Sequence, residues 1–523
     1  MNMPTRCPAR RSVPRSSDHE PRKIGLNALS DTAWALPADE LRPLQAACEA
    51  LEPRNPVQRR AWLFRSGLIT LGDIKRRDDF AAYDAEILAR RAAAVGETVA
   101  HGGLEALVAL ASAPEFAHLV GIALAEHSEN HDQDLLSWLD KDTSPATEVA
   151  TGYLRRRMWA QGNDLRDRLL SRTELPQTQA MILRLAPEPA AAWSKLAELS
   201  PEVAEHYWRE FSYFGLGSDF PQALDAARSL LSAGRPAAAL DLILLYDREG
   251  GSAEAAEIVV TGLEDLVANG FSDPEVGRLR SHFQELFALL ARHHEHVGRQ
   301  RILSLEWQLF PALGIDAEAP ILHKTLVEDP EAFVELVTWS YLPDTTAEED
   351  VQDPVEQEKR RNIASRAYGV LNALHTCPGL TADGSLDRVA LRAWVVTARA
   401  ELAARDRTGV GDRQIGQVLA SAPRDSDDLL IPEAVRDLLE EISSSDVERG
   451  LMTGIYNKRG VTSRGLLDGG VQESELAQSF REQRERARAW PRTRKLLKTL
   501  AESYEADARR EDQQAERRHR GLE

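Results

Sequence analysis

The chain has 523 residues, too many for one hydrophobic core and enough for about three domains or one array of repeats. With 43% hydrophobic and 28% charged residues and a net charge of −19, it has a soluble globular composition and no protein-wide attraction for nucleic acid. No run of about 18 apolar residues occurs, so no membrane-spanning helix is expected.

Cys7, Cys48 and Cys377 lie far apart, which suits a reducing, cytoplasmic setting better than a disulfide framework or a zinc site. The opening segment carries Arg6, Arg10, Arg11, Arg15, Arg22 and Lys23 with no apolar stretch behind them. It reads as a disordered basic tail rather than a secretory signal.

In chain order, Trp34 to Leu51 reads as a short helix, and Pro56 starts another carrying Trp62, Leu63 and Phe64. Residues 80–100 are amphipathic, with Phe80, Tyr83, Ile87 and Val95 on one side. Gly102-Gly103 opens a helix through Leu104, Leu107, Val108 and Ala111. From 150 to 220 the breaks are Pro176, Pro187, Pro189 and Pro201, and Trp193, Tyr207 and Trp208 are expected to plug the joins between helices.

Residues 221–292 give the clearest pattern. Leu224, Ala227 and Leu231 share a helix face, and Gly234-Arg235-Pro236 ends that helix and starts the next, which points Leu240, Ile243 and Leu244 at a core. Ser252 is the expected N-cap for a third helix bearing Ala256, Val259, Leu263 and Leu266 or Val267 on its apolar face. A fourth places Val276, Leu279, Phe283, Phe287 and Leu290 in register. The breaks at Gly234 and Gly270 stand 36 residues apart, the length of one helix-turn-helix unit in solenoids.

Residues 343–361 are acidic, carry prolines and hold few large apolar groups, which predicts a loop, with helices resuming near Ile363. Further helices are expected at 386–404, 432–442, 472–489 and 491–518. No period-two alternation persists long enough for a strand.

The expected fold is therefore all-α, a helical-hairpin repeat array of the α-solenoid type, tetratricopeptide- or HEAT-like in architecture, with a C-terminal helical subdomain. Its parts are a basic tail at 1–24, an N-terminal helical region at 25–150, repeats at 151–342, an acidic linker at 343–362, a C-terminal helical region at 363–505 and a charged tail at 506–523.

Signatures of chemistry are few. No phosphate-binding Gly-x-x-x-x-Gly-Lys-Ser/Thr loop occurs, and Gly409-Val410-Gly411 with Gly416 lacks a preceding strand. His127 and His131 have i, i+4 spacing but no zincin glutamate, and His293-His294-Glu295-His296 sits where histidines suit a helix C-terminus. No catalytic residue, cofactor or metal site is assigned. Residues 480–500 hold eight Arg or Lys against Glu482 and Glu485. With their neighbours these give a candidate docking face of Lys458, Arg459, Arg464, Arg484, Arg488 and Lys495, for phosphates or an acidic protein surface. The alternative is a solvated helix face that pairs with the chain's own acidic excess.

Gly454-Ile455-Tyr456-Asn457-Lys458-Arg459-Gly460, Gly469-Gly470-Val471-Gln472-Glu473, Pro491-Arg492-Thr493 and Ala501-Glu502-Ser503-Tyr504-Glu505 resemble the ends of large, mostly uncharacterised bacterial proteins. The run from Ala233 to Leu240 resembles their repeat region. In such proteins a helical tail commonly accompanies an N-terminal effector or NTPase module, as in conflict and signalling systems, so the resemblance implies a helical portion whose catalysis is supplied in trans or not at all. The resulting expectation is a non-enzymatic scaffold or sensor that binds a protein partner. A nucleic-acid-associated regulator using the 458–498 surface and an enzyme with a non-local active site are the alternatives.

Overall fold

The computed structural model describes residues 43, 46, 50–67, 69, 80–111, 114–140, 145–213, 222–246, 251–270, 276–313, 318–345, 353–460, 465 and 468–520. The fold is all-α: among these residues β-type pairing is limited to one isolated antiparallel bridge, Leu380 with Leu386. The chain divides into two compact units, Met1–Phe214 and Gly215–Glu523. Most of the helix expected over Trp34–Leu51 lies outside the described residues.

The first unit contains helices Pro56–Arg60 (α1), Phe80–Gly102 (α2), Glu105–Leu110 (α3), Ala117–His127 (α4), Asp132–Leu136 (α5), Pro145–Gln161 (α6), Asn163–Leu170 (α7), Pro176–Arg184 (α8), Pro189–Leu196 (α9) and Pro201–Glu210 (α10). Proline opens five of these, where its fixed φ suits the first turn and its missing N–H leaves no bond unmade. On α2, Tyr83, Ile87 and Val95 are buried as expected, whereas Phe80 is exposed at the open end of the helix. The buried Arg91 on the same helix donates to the carbonyls of Leu63 and Ser66, both at 2.9 Å, and so fixes the turn after α1. Trp193 and Trp208 do plug a join: their rings lie 5.1 Å apart, with Tyr207 and Phe211 around them, and the Trp193 indole N–H donates to the Tyr207 hydroxyl at 3.0 Å.

Helices α4 and α6 cross backbone to backbone. A β-carbon on Gly121 would overlap the carbonyl of Val149, and one on Gly152 would overlap the carbonyl of His118. Each glycine therefore admits the turn that begins three residues before the other.

The second unit contains Ala223–Ser232 (α11), Pro236–Tyr246 (α12), Ala253–Ala268 (α13), Val276–Leu279 (α14), Phe283–Arg292 (α15), His294–Val297 (α16), Arg299–Leu309 (α17), Pro320–Glu328 (α18), Pro330–Ser340 (α19), Pro354–Asn372 (α20), Arg388–Ala404 (α21), Thr408–Leu419 (α22), Glu433–Ile442 (α23), Ser445–Asn457 (α24), Val471–Arg486 (α25) and Pro491–His519 (α26). The break after α11 is a Schellman turn. Gly234 has φ +72°, its N–H donates to the Leu231 carbonyl, and the Arg235 N–H reaches back to Leu230, both at 2.9 Å. Ser252 caps α13 by accepting from the Ala255 N–H at 3.0 Å. Ala256, Val259, Leu263 and Leu266 are buried. The fourth expected helix is split into α14 and α15 by a 3₁₀ turn at 280–282, with Val276, Leu279, Phe283, Phe287 and Leu290 buried.

From Phe310 to Tyr504 one continuous hydrophobic core joins α18 to α26. Within it α22 and α24 repeat the crossing of the first unit: a β-carbon on Gly416 would meet the carbonyl of Val447, and one on Gly450 that of Arg413. The offset of three residues is the same in both crossings.

Two stretches are more regular than their composition suggests. Helix α20 begins at Pro354, inside the segment 343–362 read as a linker, because the Asp353 carboxylate caps it by accepting from the Val355 N–H at 3.1 Å. Helix α26 runs to His519, matching the helix expected over 491–518 and carrying it into the charged tail set at 506–523.

Candidate partner-binding surface

The basic set does not converge into a free cationic face. Lys458, at the end of α24, donates to the Ala420 carbonyl. Arg459 donates to the buried Glu473 carboxylate and lies 5.7 Å over the Tyr504 ring. Arg488 is exposed and pairs within its own turn with Glu485. Arg484 is half-buried and Lys495 exposed; their side chains carry no hydrogen bond or ion pair among the described residues. Arg464 lies outside the described residues. The surrounding cations are engaged too: Arg481 with Glu505, Arg492 with Glu448, Lys498 with Glu502, and Arg486 with the Asp427 carbonyl. Of the eight cations counted along residues 480–500, Arg481, Arg488, Arg492 and Lys498 are thus met by a carboxylate, so half of that charge is compensated in space.

Gly409-Val410-Gly411 forms the first turn of α22 rather than a loop, and Asp344 occupies its N-terminus: the Gly409 N–H donates to that carboxylate at 2.7 Å. Asp406, held at φ +54°, accepts the Thr345 N–H and hydroxyl at 3.1 and 2.8 Å, so residues 344–345 are pinned there. His127 and His131 end on opposite sides of the break between α4 and α5, and no cluster of three metal-ligand side chains forms among the described residues. His294 donates from Nδ1 to the Ala291 carbonyl at 2.9 Å, the helix-end role expected of it.

A pocket of about 430 Å³ lies between α18 and the turn after α20, lined by His323, Lys324, Val327, His375 and Cys377 among others. Helix α18 is held at its start by Glu306 of α17. The buried Glu306 carboxylate accepts the N–H groups of Ile321 and Leu322 at 3.1 and 2.5 Å, taking the place of a cap. Burial pushes the Glu306 carboxyl up to about 7 against the opposing pull of those two amides. Burial lowers His323 to about 4, and it pushes the Cys377 thiol up to about 11. The raised thiol and the lowered imidazole oppose a Cys377–His323 nucleophile, which needs a thiol lowered toward thiolate.

The surface that stands out is a cleft along α20. Pro354, Val355, Glu358, Lys359, Asn362, Ile363 and Arg366 line a hollow of about 630 Å³. Val355 is 75% exposed there. At the far end the Arg366 guanidinium lies 5.3 Å over the Trp307 ring, and Trp307 lies 5.4 Å from Trp339, itself 41% exposed. The Nε of Arg366 is buried without a hydrogen-bond partner, so the arginine is held by the indole face. Apolar anchors flanked by an arginine and a charged rim form the composition of a protein-binding patch. The sequence reading passed over Val355 because it placed 343–362 in a linker, and over Trp339 and Arg366 because nothing local marks a helical residue as facing solvent.

No protein-family model, curated protein or solved structure matches the chain.

Proposed function

We propose that the chain is a non-enzymatic helical-repeat scaffold or sensor arm that docks a partner protein in the α20 cleft. The observation that carries this reading is the run of contacts from the exposed Val355 along the cleft to Arg366, stacked on the half-buried Trp307, and on to the exposed Trp339. The solenoid reading is supported by the way consecutive helices from α11 to α13 and from α17 to α19 pack on one another. The resemblance of the C-terminal residues to large bacterial conflict and signalling proteins suggests a partner that carries the catalytic module.

The test is recovery of the tagged protein from its native cells, washed at low and high salt, in three forms: unaltered, Trp339→Ala with Val355→Asp, and Arg484→Glu with Lys495→Glu. A stoichiometric protein that survives high salt and is lost from the cleft variant alone supports the proposal. Nucleic acid that is lost at high salt and absent from the charge-reversed variant would replace it with the regulator reading.

A further inference from the structure

A second site lies in the first unit and is independent of the α20 cleft. The end of α6 and the turn between α4 and α5 enclose a hollow of about 700 Å³. Arg156, Trp159 and Ala160 face it from one side of α6, at the i, i+3, i+4 spacing that shares a helix face. Glu126, His127, Glu129 and Asn130 face it from the turn.

The turn is held in place. Arg157, with a side chain 6% exposed, binds the Glu129 carboxylate at 2.9 Å, the Glu129 carbonyl at 3.2 Å and the Asp132 carboxylate at 3.2 Å. The Tyr153 hydroxyl accepts the His131 N–H at 3.1 Å. His127 lies against Gly96, where a β-carbon would come within 2.5 Å of its ring. Against this fixed wall Trp159 stands 68% exposed, in contrast to the packed Trp193 and Trp208.

Two features define the ligand. A tryptophan face left open in a polar hollow offers a flat apolar platform. Both guanidinium groups around it are engaged within the site: Arg156 with Glu126, and Arg157 with Glu129 and Asp132. A phosphate would find both guanidinium groups engaged and would have to break a charge-assisted pair. A neutral ring with one C–H face and a rim of hydroxyls would not: the face stacks on the indole, and the hydroxyls use the free lone pairs of Glu126 and Glu129, the Asn130 amide and the remaining guanidinium N–H groups. We propose that this hollow binds a neutral pyranose sugar, with Trp159 as its platform.

The experiment uses the full chain with ¹⁵N-labelled tryptophan and follows the indole N–H signals. Glucose, galactose, N-acetylglucosamine, maltotriose and cellotriose are added in turn up to tens of millimolar, and adenosine is added separately. The expected result is a saturable shift of the Trp159 signal with at least one sugar. Measured by titration calorimetry, since these variants lack the reporter indole, Trp159→Ala should lose roughly tenfold or more in affinity and Trp159→Phe should retain part of it. Glu126→Gln frees Arg156 and should turn preference toward glucuronate over glucose. The proposal is overturned if no sugar moves the Trp159 signal while the other indoles report an intact fold, or if adenosine alone moves it.

Discussion

At the scale of single residues, the strongest physical constraints are charges that the fold takes out of water. Glu306 is fully buried and has its carboxyl raised to about 7, so the folded state holds its proton more tightly than the unfolded chain does. Its contribution to stability is present below about pH 4.5 and is lost as pH rises through about 7, a difference of roughly 3 kcal/mol. His323, lowered to about 4, acts in the opposite sense: its contribution is present above about pH 6.5 and lost as pH falls through about 4. Glu306→Gln should therefore shift the stability of the second unit by a constant amount and flatten its fall between pH 5 and 8, measured by urea unfolding across that range. Arg436 is 1% exposed, ion-paired to Asp427 and stacked 4.1 Å over Trp490. Removing it opens a cavity under Trp490 and leaves Asp427, itself 40% exposed, to solvent, so Arg436→Ala should cost about 2–4 kcal/mol through lost packing, while Arg436→Met, which refills the volume, should cost less in the same assay. Neither residue was legible in the sequence. A buried ion differs from a solvated one by its neighbours, and those arrive from distant parts of the chain.

At the scale of elements, local signals carried far. Prolines that open helices, the Ser252 cap and the Gly234 turn all act through bonds within a few residues, so the helices from 223 to 292 were readable in advance. The segment 343–362 was misread where composition and capping compete: Asp353-Pro354 is an N-cap followed by a first-turn proline, and that pair starts α20 despite the acidic surroundings. The glycine crossings were equally hidden, because a glycine inside a helix looks like a defect until the partner helix is known. Gly416→Ala should push α22 off α24 and destabilise the second unit by about 1–3 kcal/mol or more, and Gly152→Ala should do the same to the first unit. By contrast Gly277→Ala, on a short helix with open space around the α-carbon, should leave the unfolding midpoint unchanged or slightly raised.

At the scale of the whole molecule, the division at Phe214 and Gly215 predicts that a chain spanning 215–523 folds by itself. Its circular dichroism should show helix and its denaturant transition should be cooperative; a broad, non-cooperative melt would mean that the core from Phe310 to Tyr504 depends on the first unit. The sequence carried the fold class well because amphipathic helical periodicity needs no knowledge of contacts. It carried the candidate surfaces poorly, since a linear count of arginines cannot show that Glu473, Glu448 and Glu505 come back to meet them. The paired glycine crossings have a wider consequence. A junction made of main chain against main chain asks nothing of the surrounding side chains except four missing β-carbons, Gly121, Gly152, Gly416 and Gly450. Such a junction can outlast the divergence of nearly every other residue in its two helices, so relatives of this chain would be traceable by the spacing of a few glycines long after overall identity had faded.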